Sequence, residues 1–235
     1  MKSAVISFGA NRFTKEQEET ADKLVRALGE KGYVFAGDPS DCDLVVSLGG
    51  DGSMLKAAKY ALAADKPLAG INTGRLGYLC ALELSDVWNA GDPFSGLAVS
   101  ERTVLETETD GRICLALNDV VFGKRYFGQT VEIEVLLNGK KAMDIRGDGL
   151  IAATPTGSTA YNKSAGGPVI ARDADVLCLT PVCSSERPFV VSGKAIITVR
   201  LKRGDCDVFI DGEKAGEEKA EYVIRRSEKK LKLLR

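Results

Sequence analysis

The chain of 235 residues contains no histidine. A Ser-His-Asp or Cys-His catalytic set is therefore excluded, as is a metal site that needs an imidazole ligand. Acid–base work is left to carboxylates, lysine, tyrosine or cysteine. Neither sign of charge is in excess, with 32 Lys and Arg against 33 Asp and Glu. No bulk field draws the chain to nucleic acid or to a membrane, so any affinity for phosphate must be local. Cys42, Cys80, Cys114, Cys178, Cys183 and Cys206 stand singly, without a Cys-x-x-Cys pair, which argues against zinc and for buried, reduced thiols. No apolar run approaches the length of a membrane span, and the apolar segment within Met1 to Phe8 is too short for a signal peptide. A soluble, cytoplasmic protein with small-molecule partners, and neither nucleic acid nor membrane among them, is expected. The phosphate loop GxxxxGK[ST] and the dinucleotide fingerprint GxGxxG are both missing, so phosphate binding must use another arrangement.

What the chain does have is Ser47-Leu48-Gly49-Gly50-Asp51-Gly52-Ser53-Met54. An apolar run stops at two glycines, presents one carboxylate and restarts as a helical pattern. Bare backbone and one acid at a strand end allow a phosphate-rich ligand to approach closely. Around this turn the first half reads as α/β. Ala4 to Phe8 is a strand, Thr14-Lys15-Glu16-Gln17 is a capping box, and Ala21, Leu24, Val25 and Leu28 recur at helical spacing up to Gly32. Leu44 to Leu48 is a continuous apolar run, as in a strand covered on both faces. Leu55, Ala58 and Leu62 mark a helix face, Asp65-Lys66-Pro67 breaks it, and Leu68 to Ile71 is a further strand. This is a βαβ unit. A second glycine-bearing turn, Asn72 to Leu79, follows directly, and in an open parallel sheet the two turns should be neighbours. Ser85 to Gly96 reads as a linker.

Beyond it the period alternates. Asp110-Gly111 and Asn138-Gly139 separate apolar alternations and predict hairpins, and strands are expected near 176–179, 195–201, 208–210 and 222–224. The basic, leucine-bearing stretch from Ser227 to Arg235 reads as a closing strand with a solvated face. One segment breaks the pattern: Arg146 to Pro168 is rich in glycine and hydroxyls and poor in large apolar groups. Such a segment suits a wall that hydrogen-bonds a polar ligand, with Tyr161 offering a ring for stacking. The expected fold is an α/β N-terminal domain with a parallel sheet over residues 1–98, then a mostly β C-terminal domain over residues 99–235.

Four blocks, Gly49 to Gly52, Gly70 to Leu79, Leu117-Asn118-Asp119-Val120-Val121, and Asp148 to Leu150 through Thr154 to Tyr161, resemble in order and spacing the NAD kinase family. The first alone is shared with diacylglycerol kinases and phosphofructokinases, and the last narrows the match. The resemblance implies transfer of the terminal phosphoryl group of ATP, or of polyphosphate, to the 2′-hydroxyl of the adenosine ribose of NAD. It makes Asp51 the catalytic carboxylate, contacting NAD together with Gly52, with Gly49 and Gly50 beside it. Asn118 and Asp119 would hold ribose hydroxyls, Arg146 would line the site and Asp148 would meet the nicotinamide carboxamide. Thr159, Ala160, Tyr161, Asn162, Lys163 and Ser164 would line the adenosine part, and Glu213 would stand near phosphate. Magnesium or another divalent cation is expected on the donor phosphates, without a dedicated set of protein ligands, and a homodimer or homotetramer is implied. The family usually has Asn-Glu where this chain has Asn118-Asp119, and many bacterial members have glutamine at Glu213. A tail familiar in the family is expected to be absent after Leu234. A lipid or sugar kinase of the same superfamily, or a non-catalytic dinucleotide-binding module, is the alternative reading.

Overall fold

The computed structural model describes residues 2–8, 15–74, 77–216 and 219–235, with residues 2–8, 16 and 17 given by backbone alone. The chain folds as two compact units, residues 1–101 with 231–235, and residues 102–230.

In the first unit β1 (Lys2–Phe8), α1 (Lys15–Glu30), β2 (Tyr33–Phe35), β3 (Leu44–Leu48), α2 (Asp51–Ala64) and β4 (Leu68–Asn72) alternate along the chain. The four strands are parallel in the order β2-β1-β3-β4. Every residue of β3 and β4 is buried, as continuous apolar runs require when helices cover both faces. Thr14 of the capping box lies outside the described residues, and so do Arg75 and Leu76 of the second turn. Helix α2 buries Met54, Ala57, Ala58, Ala61 and Leu62, a full i, i+3, i+4, i+7, i+8 stripe. Leu55, expected on that face, is only half-buried, because the buried stripe runs through Met54 and Ala57 instead. The helix stops where Asp65 turns left-handed at φ 53°, and Pro67 follows.

Ser85 to Gly96 is not a linker. After β5 (Leu82–Glu83) it forms α3 (Leu84–Asn89), begun by a capping box between Glu83 and Asp86. Val87 and Phe94 are buried in the first unit's core. The Phe94 ring meets Tyr33 edge-on at 5.5 Å, and the Tyr33 hydroxyl donates to Asp92 at 2.6 Å. Glycine, proline and tryptophan in one short stretch mark here a helix and a packed turn. β6 (Val99–Arg102) completes this part of the chain.

The second unit begins with β7 (Leu105–Thr109), β8 (Arg112–Ala116), β9 (Asp119–Lys124), β10 (Val131–Leu137), β11 (Lys140–Gly147) and β12 (Gly149–Ala153). A short helix α4 (Tyr161–Ser164) follows, then β13 (Val176–Val182), β14 (Phe189–Ser192), β15 (Ile197–Arg203), β16 (Cys206–Ile210), β17 (Glu213–Ala215) and β18 (Glu221–Arg226). They form two six-stranded sheets, β11-β10-β15-β18-β7-β8 and β14-β13-β12-β9-β16-β17. Both contribute to one apolar core, including Leu105, Ile133, Val199 and Ile224 from the first sheet and Phe122, Leu150, Leu177 and Val208 from the second. This is a β-sandwich. The two predicted hairpins are present, with φ 50° and 69° at Asp110 and Gly111 and φ 50° and 78° at Asn138 and Gly139. A third, Asp211-Gly212 at φ 49° and 81°, joins β16 to β17.

The segment from Arg146 to Pro168 divides. Gly149 to Ala153 is a fully buried strand between β9 and β13. Leu150 and Ala152 face the sandwich core. Ile151 and Ala153 face outward into a second cluster, against which Ala165 of the polar segment and Ile170 just beyond it pack. The irregular wall therefore starts at Thr154 and lies over the outer face of its own sheet. The last strand, β19 (Leu231–Leu234), leaves the sandwich and pairs in parallel with β4, Leu233 opposite Leu68. It thereby joins the first unit, where its leucines Leu231 and Leu233 are buried.

Phe122 is wholly buried and packs edge-to-face on Tyr222 at 5.2 Å. Phe122→Ala is expected to lower the unfolding free energy of the second unit by about 3–5 kcal/mol, read as a lower urea midpoint of the strand signal in circular dichroism.

Candidate active site

In the first unit the two glycine turns at the ends of β3 and β4 are neighbours, as the parallel sheet demands. Asp51 is the first residue of α2, directly after Gly50. Its Oδ2 accepts the Tyr78 amide at 3.0 Å and its Oδ1 the Leu79 amide at 3.0 Å. The amide of Gly49 donates to Ile71 of β4 at 3.0 Å, which ties the turn to its neighbour from the other side. Gly77 is glycine for a steric reason: a Cβ there would lie 2.3 Å from Asp51 Oδ1. A guanidinium nitrogen of Arg235 donates to the Tyr78 carbonyl at 2.7 Å. Beneath the turn Cys80 donates to the Gly49 carbonyl at 3.4 Å. Burial, then the neighbouring Asp51 carboxylate, push its thiol up to about 11 against a smaller opposing pull from Arg235, so Cys80 is a neutral packing group here. Gly52 is exposed, with open space around its Cα.

In the second unit the residues expected to hold ribose sit on the short turn between β8 and β9. The Asp211 carboxylate accepts three successive amides of that turn, Leu117 at 2.8 Å, Asn118 at 2.7 Å and Asp119 at 3.2 Å. On the carbonyl side the Thr154 hydroxyl donates to Leu117 at 2.6 Å, and the Thr154 amide donates to Asn118 at 2.9 Å. Gly157 passes so close that a Cβ would lie 2.0 Å from the Asn118 carbonyl oxygen. The backbone of the turn is thus satisfied on both sides, while the side chains of Asn118 and Asp119 make no hydrogen bond to a described residue. Asp119 is only 5% exposed. Burial, with the Asp211 carboxylate adding to it, pushes its carboxyl up to about 7.

The wall that follows is held by its own buried polar groups. Asn162 is wholly buried; its amide donates to the carbonyls of Ser158 at 3.1 Å and Pro168 at 3.0 Å and accepts from Thr180 at 2.6 Å. That side chain is committed to the wall. Thr159 and Ala160 are half-buried, and Tyr161, Lys163 and Ser164 are exposed. Arg146 is exposed on β11 opposite Glu132. Asp148 pairs with Lys124 at 2.8 Å, and the Lys124 ammonium lies 5.3 Å over the Phe127 ring. Asp119 begins β9 and Lys124 ends it, roughly 17 Å apart at strand rise. Asp119 and Asp148 are therefore too far apart to hold one sugar together. Glu213 is exposed at the start of β17.

Sequence reasoning missed Asp211 and Thr154 as organisers of the site. The available signal for Asp211 was a third Asx-Gly dipeptide between apolar alternations. Among the described residues no group of three or more His, Cys, Asp or Glu side chains is placed to hold a metal ion, and no helix is long and apolar enough to cross a membrane.

Residues 7–92 match the family model described as the ATP-NAD kinase N-terminal domain, and residues 117–235 match the ATP-NAD kinase C-terminal domain. The NAD kinase of Sulfurimonas denitrificans is 35% identical over 225 residues, covering 91% of this chain and 79% of that protein. The NAD kinase of Geotalea daltonii is 37% identical over 216 residues, covering 83% and 74%. Among solved structures, an NAD kinase from Archaeoglobus fulgidus in complex with ATP superposes with a TM-score of 0.82 at 26% identity, over 100% of this chain and 94% of that one. A yeast NADH kinase complexed with NADH superposes with a TM-score of 0.83 at 19% identity, over 100% and 83%, a likeness of fold.

The raised carboxyl of Asp119 has a consequence for stability. Between pH 4 and 7 the folded protein keeps a proton that the unfolded chain, with its ordinary carboxyl at 3.8, releases. This contribution is complete below about pH 4 and is lost as the pH rises through about 7. Asp119→Asn is expected to flatten that fall, a difference on the order of a few kcal/mol, measured as melting temperature against pH for the two proteins.

Proposed function

Because the chain belongs to the NAD kinase family, a family of phosphotransferases, we propose that it transfers the terminal phosphoryl group of ATP to the 2′-hydroxyl of the adenosine ribose of NAD, giving NADP. One observation supports this most directly. The turn carrying Asn118 and Asp119 has its backbone satisfied by Asp211 and Thr154, yet its two side chains hydrogen-bond to no described residue. An amide and a carboxyl held ready on a rigid turn match what the hydroxyls of a ribose need.

Phosphoryl transfer passes through a loose transition state, so catalysis is mostly positioning and charge stabilisation. Asp51 is the group to orient the attacking hydroxyl. A carboxylate offers about four acceptor positions; the amides of Tyr78 and Leu79 occupy two and fix the plane. The remainder can accept the hydroxyl without breaking either bond. Aspartate is a weak base toward a sugar alcohol, so the proton moves late, once bonding to phosphorus has made the oxygen acidic. The donor is taken as its magnesium complex, the ion staying largely on phosphate and water. Exposed Gly52 leaves backbone open beside Asp51. Asp148 serves the nicotinamide carboxamide and Arg146 lines the site, and the exposed edge of residues 159–164 serves the adenosine, with Tyr161 as its stacking ring.

All six cysteines are thiols rather than disulfides, which suits a reducing cytoplasm. The family likeness also suggests a homodimer or homotetramer, read by analytical ultracentrifugation. A lipid or sugar kinase is the competing assignment. Incubation with magnesium-ATP or polyphosphate and with NAD, NADH, a diacylglycerol or a sugar phosphate separates these possibilities, with NADP from ATP and NAD the expected product. Asp51→Asn is expected to lower turnover by about 10²–10⁴-fold while NAD binding, measured by calorimetry, changes little. Near-normal turnover in that variant would sink the catalytic assignment.

A further inference from the structure

We propose that Asp211 is the positioning residue of the ribose site, its carboxylate gathering the three amides of the Leu117–Asp119 turn so that Asn118 and Asp119 meet the sugar in one fixed geometry. The inference rests on the reading of Asn118 and Asp119 as ribose ligands and adds the group that acts through them.

Four observations support it. The acceptor is a single carboxylate and the donors are consecutive amides at 2.8, 2.7 and 3.2 Å, a concave anion nest filled from within the protein. The Asp211 amide returns a bond to the Asp119 carbonyl at 3.1 Å, so the β16–β17 turn and the β8–β9 turn are clamped in both directions. Asp211 adopts φ 49°, with Gly212 beside it at 81°, the left-handed pair of a tight hairpin. Asparagine suits the first position of such a turn as well as aspartate does, so the backbone alone gives no reason for an acid. In the hairpin at Asn138-Gly139 the same position is an amide, which accepts from Ile196 at 3.0 Å.

The charge has a second effect. Asp119 is flanked by the uncharged Ala153 across β12 and by the β16–β17 turn, whose charged side chains are Asp211 and Glu213. Of these, Asp211 raises the Asp119 carboxyl, secondary to burial. A buried carboxyl pushed up to about 7 changes form within the working pH range. Its ionised form is the stronger acceptor for ribose hydroxyls, so NAD affinity should tighten as the pH rises through that point. Asp211 thus fixes where Asp119 stands and adds to the effect of burial in raising the pH at which it becomes a good ligand.

The test is the pH profile of the NAD dissociation constant, by calorimetry, for wild type, Asp119→Asn, Asp211→Asn and Asp211→Glu, each checked for folding by circular dichroism. Wild type should show a limb near pH 7 that Asp119→Asn removes. Asp211→Asn should weaken binding on the alkaline plateau about tenfold and move the limb to lower pH by about one unit. Asp211→Glu keeps the charge but displaces it by one methylene, so it should weaken binding with the limb in place. It also serves as the test if the asparagine variant does not fold. A limb that survives in Asp119→Asn overturns the ribose assignment and the proposal with it. A limb lost in Asp119→Asn but unmoved in Asp211→Asn, or wild-type affinity in either Asp211 variant, overturns the proposal alone.

Discussion

Two aspartates in this protein do what a ligand does elsewhere: they collect backbone amides from a turn distant in sequence. Asp51 takes the amides of Tyr78 and Leu79, and Asp211 takes those of Leu117, Asn118 and Asp119. Turns at strand ends leave N–H groups that no ladder satisfies, and leaving such groups buried and unpaired costs about 1–3 kcal/mol each. Charge-assisted bonds are about twice as strong as neutral ones, so one carboxylate can hold a turn still. In each unit the geometry of the candidate site depends on that constraint.

The two uses differ in a way that matters for chemistry. Asp51 lies at the first turn of α2 and is half-exposed, with acceptor positions left for a substrate hydroxyl. Asp211 gives its carboxylate to three amides, and in the proposed site the ligand would be left to Asn118 and Asp119. In the proposed reaction the first would touch reacting atoms, and the second would act through a turn. Their environments follow from the same logic, since Asp119 is buried beside Asp211 and is pushed up to about 7, whereas the wall residue Asn162 is fully bonded within the protein.

Most of the fold was legible from local pattern. Leu44 to Leu48 and Leu68 to Ile71 are apolar without alternation, and both are strands buried on both faces. Asp110-Gly111 and Asn138-Gly139 turn where their chemistry says they should, because the left-handed φ values of a two-residue hairpin favour those residues. The errors arose where local pattern is ambiguous. Ser85 to Gly96 looked like a linker since it holds Trp88, Pro93 and two glycines, yet Val87 and Phe94 find a core to enter. Gly149 to Ala153 looked like part of a polar loop, since small residues also suit a central strand crowded from outside by Ala165 and Ile170.

By itself the sequence determined the strand and helix pattern, the exclusion of histidine chemistry and the family resemblance, and through that resemblance it named Asp51, Asn118 and Asp119 as candidates. The pattern and the exclusion follow from periodicity, turn propensity and residue type, and the candidates follow from the order and spacing of the motifs that carry the resemblance. Only the tertiary structure decided that β19 returns to pair with β4, that Thr154 and Asp211 clasp one turn from opposite sides, and that Asp119 is a buried carboxyl beside another acid. Those features join positions some 35 to 165 residues apart. Hydrogen bonding, burial and like-charge repulsion act through space, and a linear pattern holds no record of which distant groups will meet.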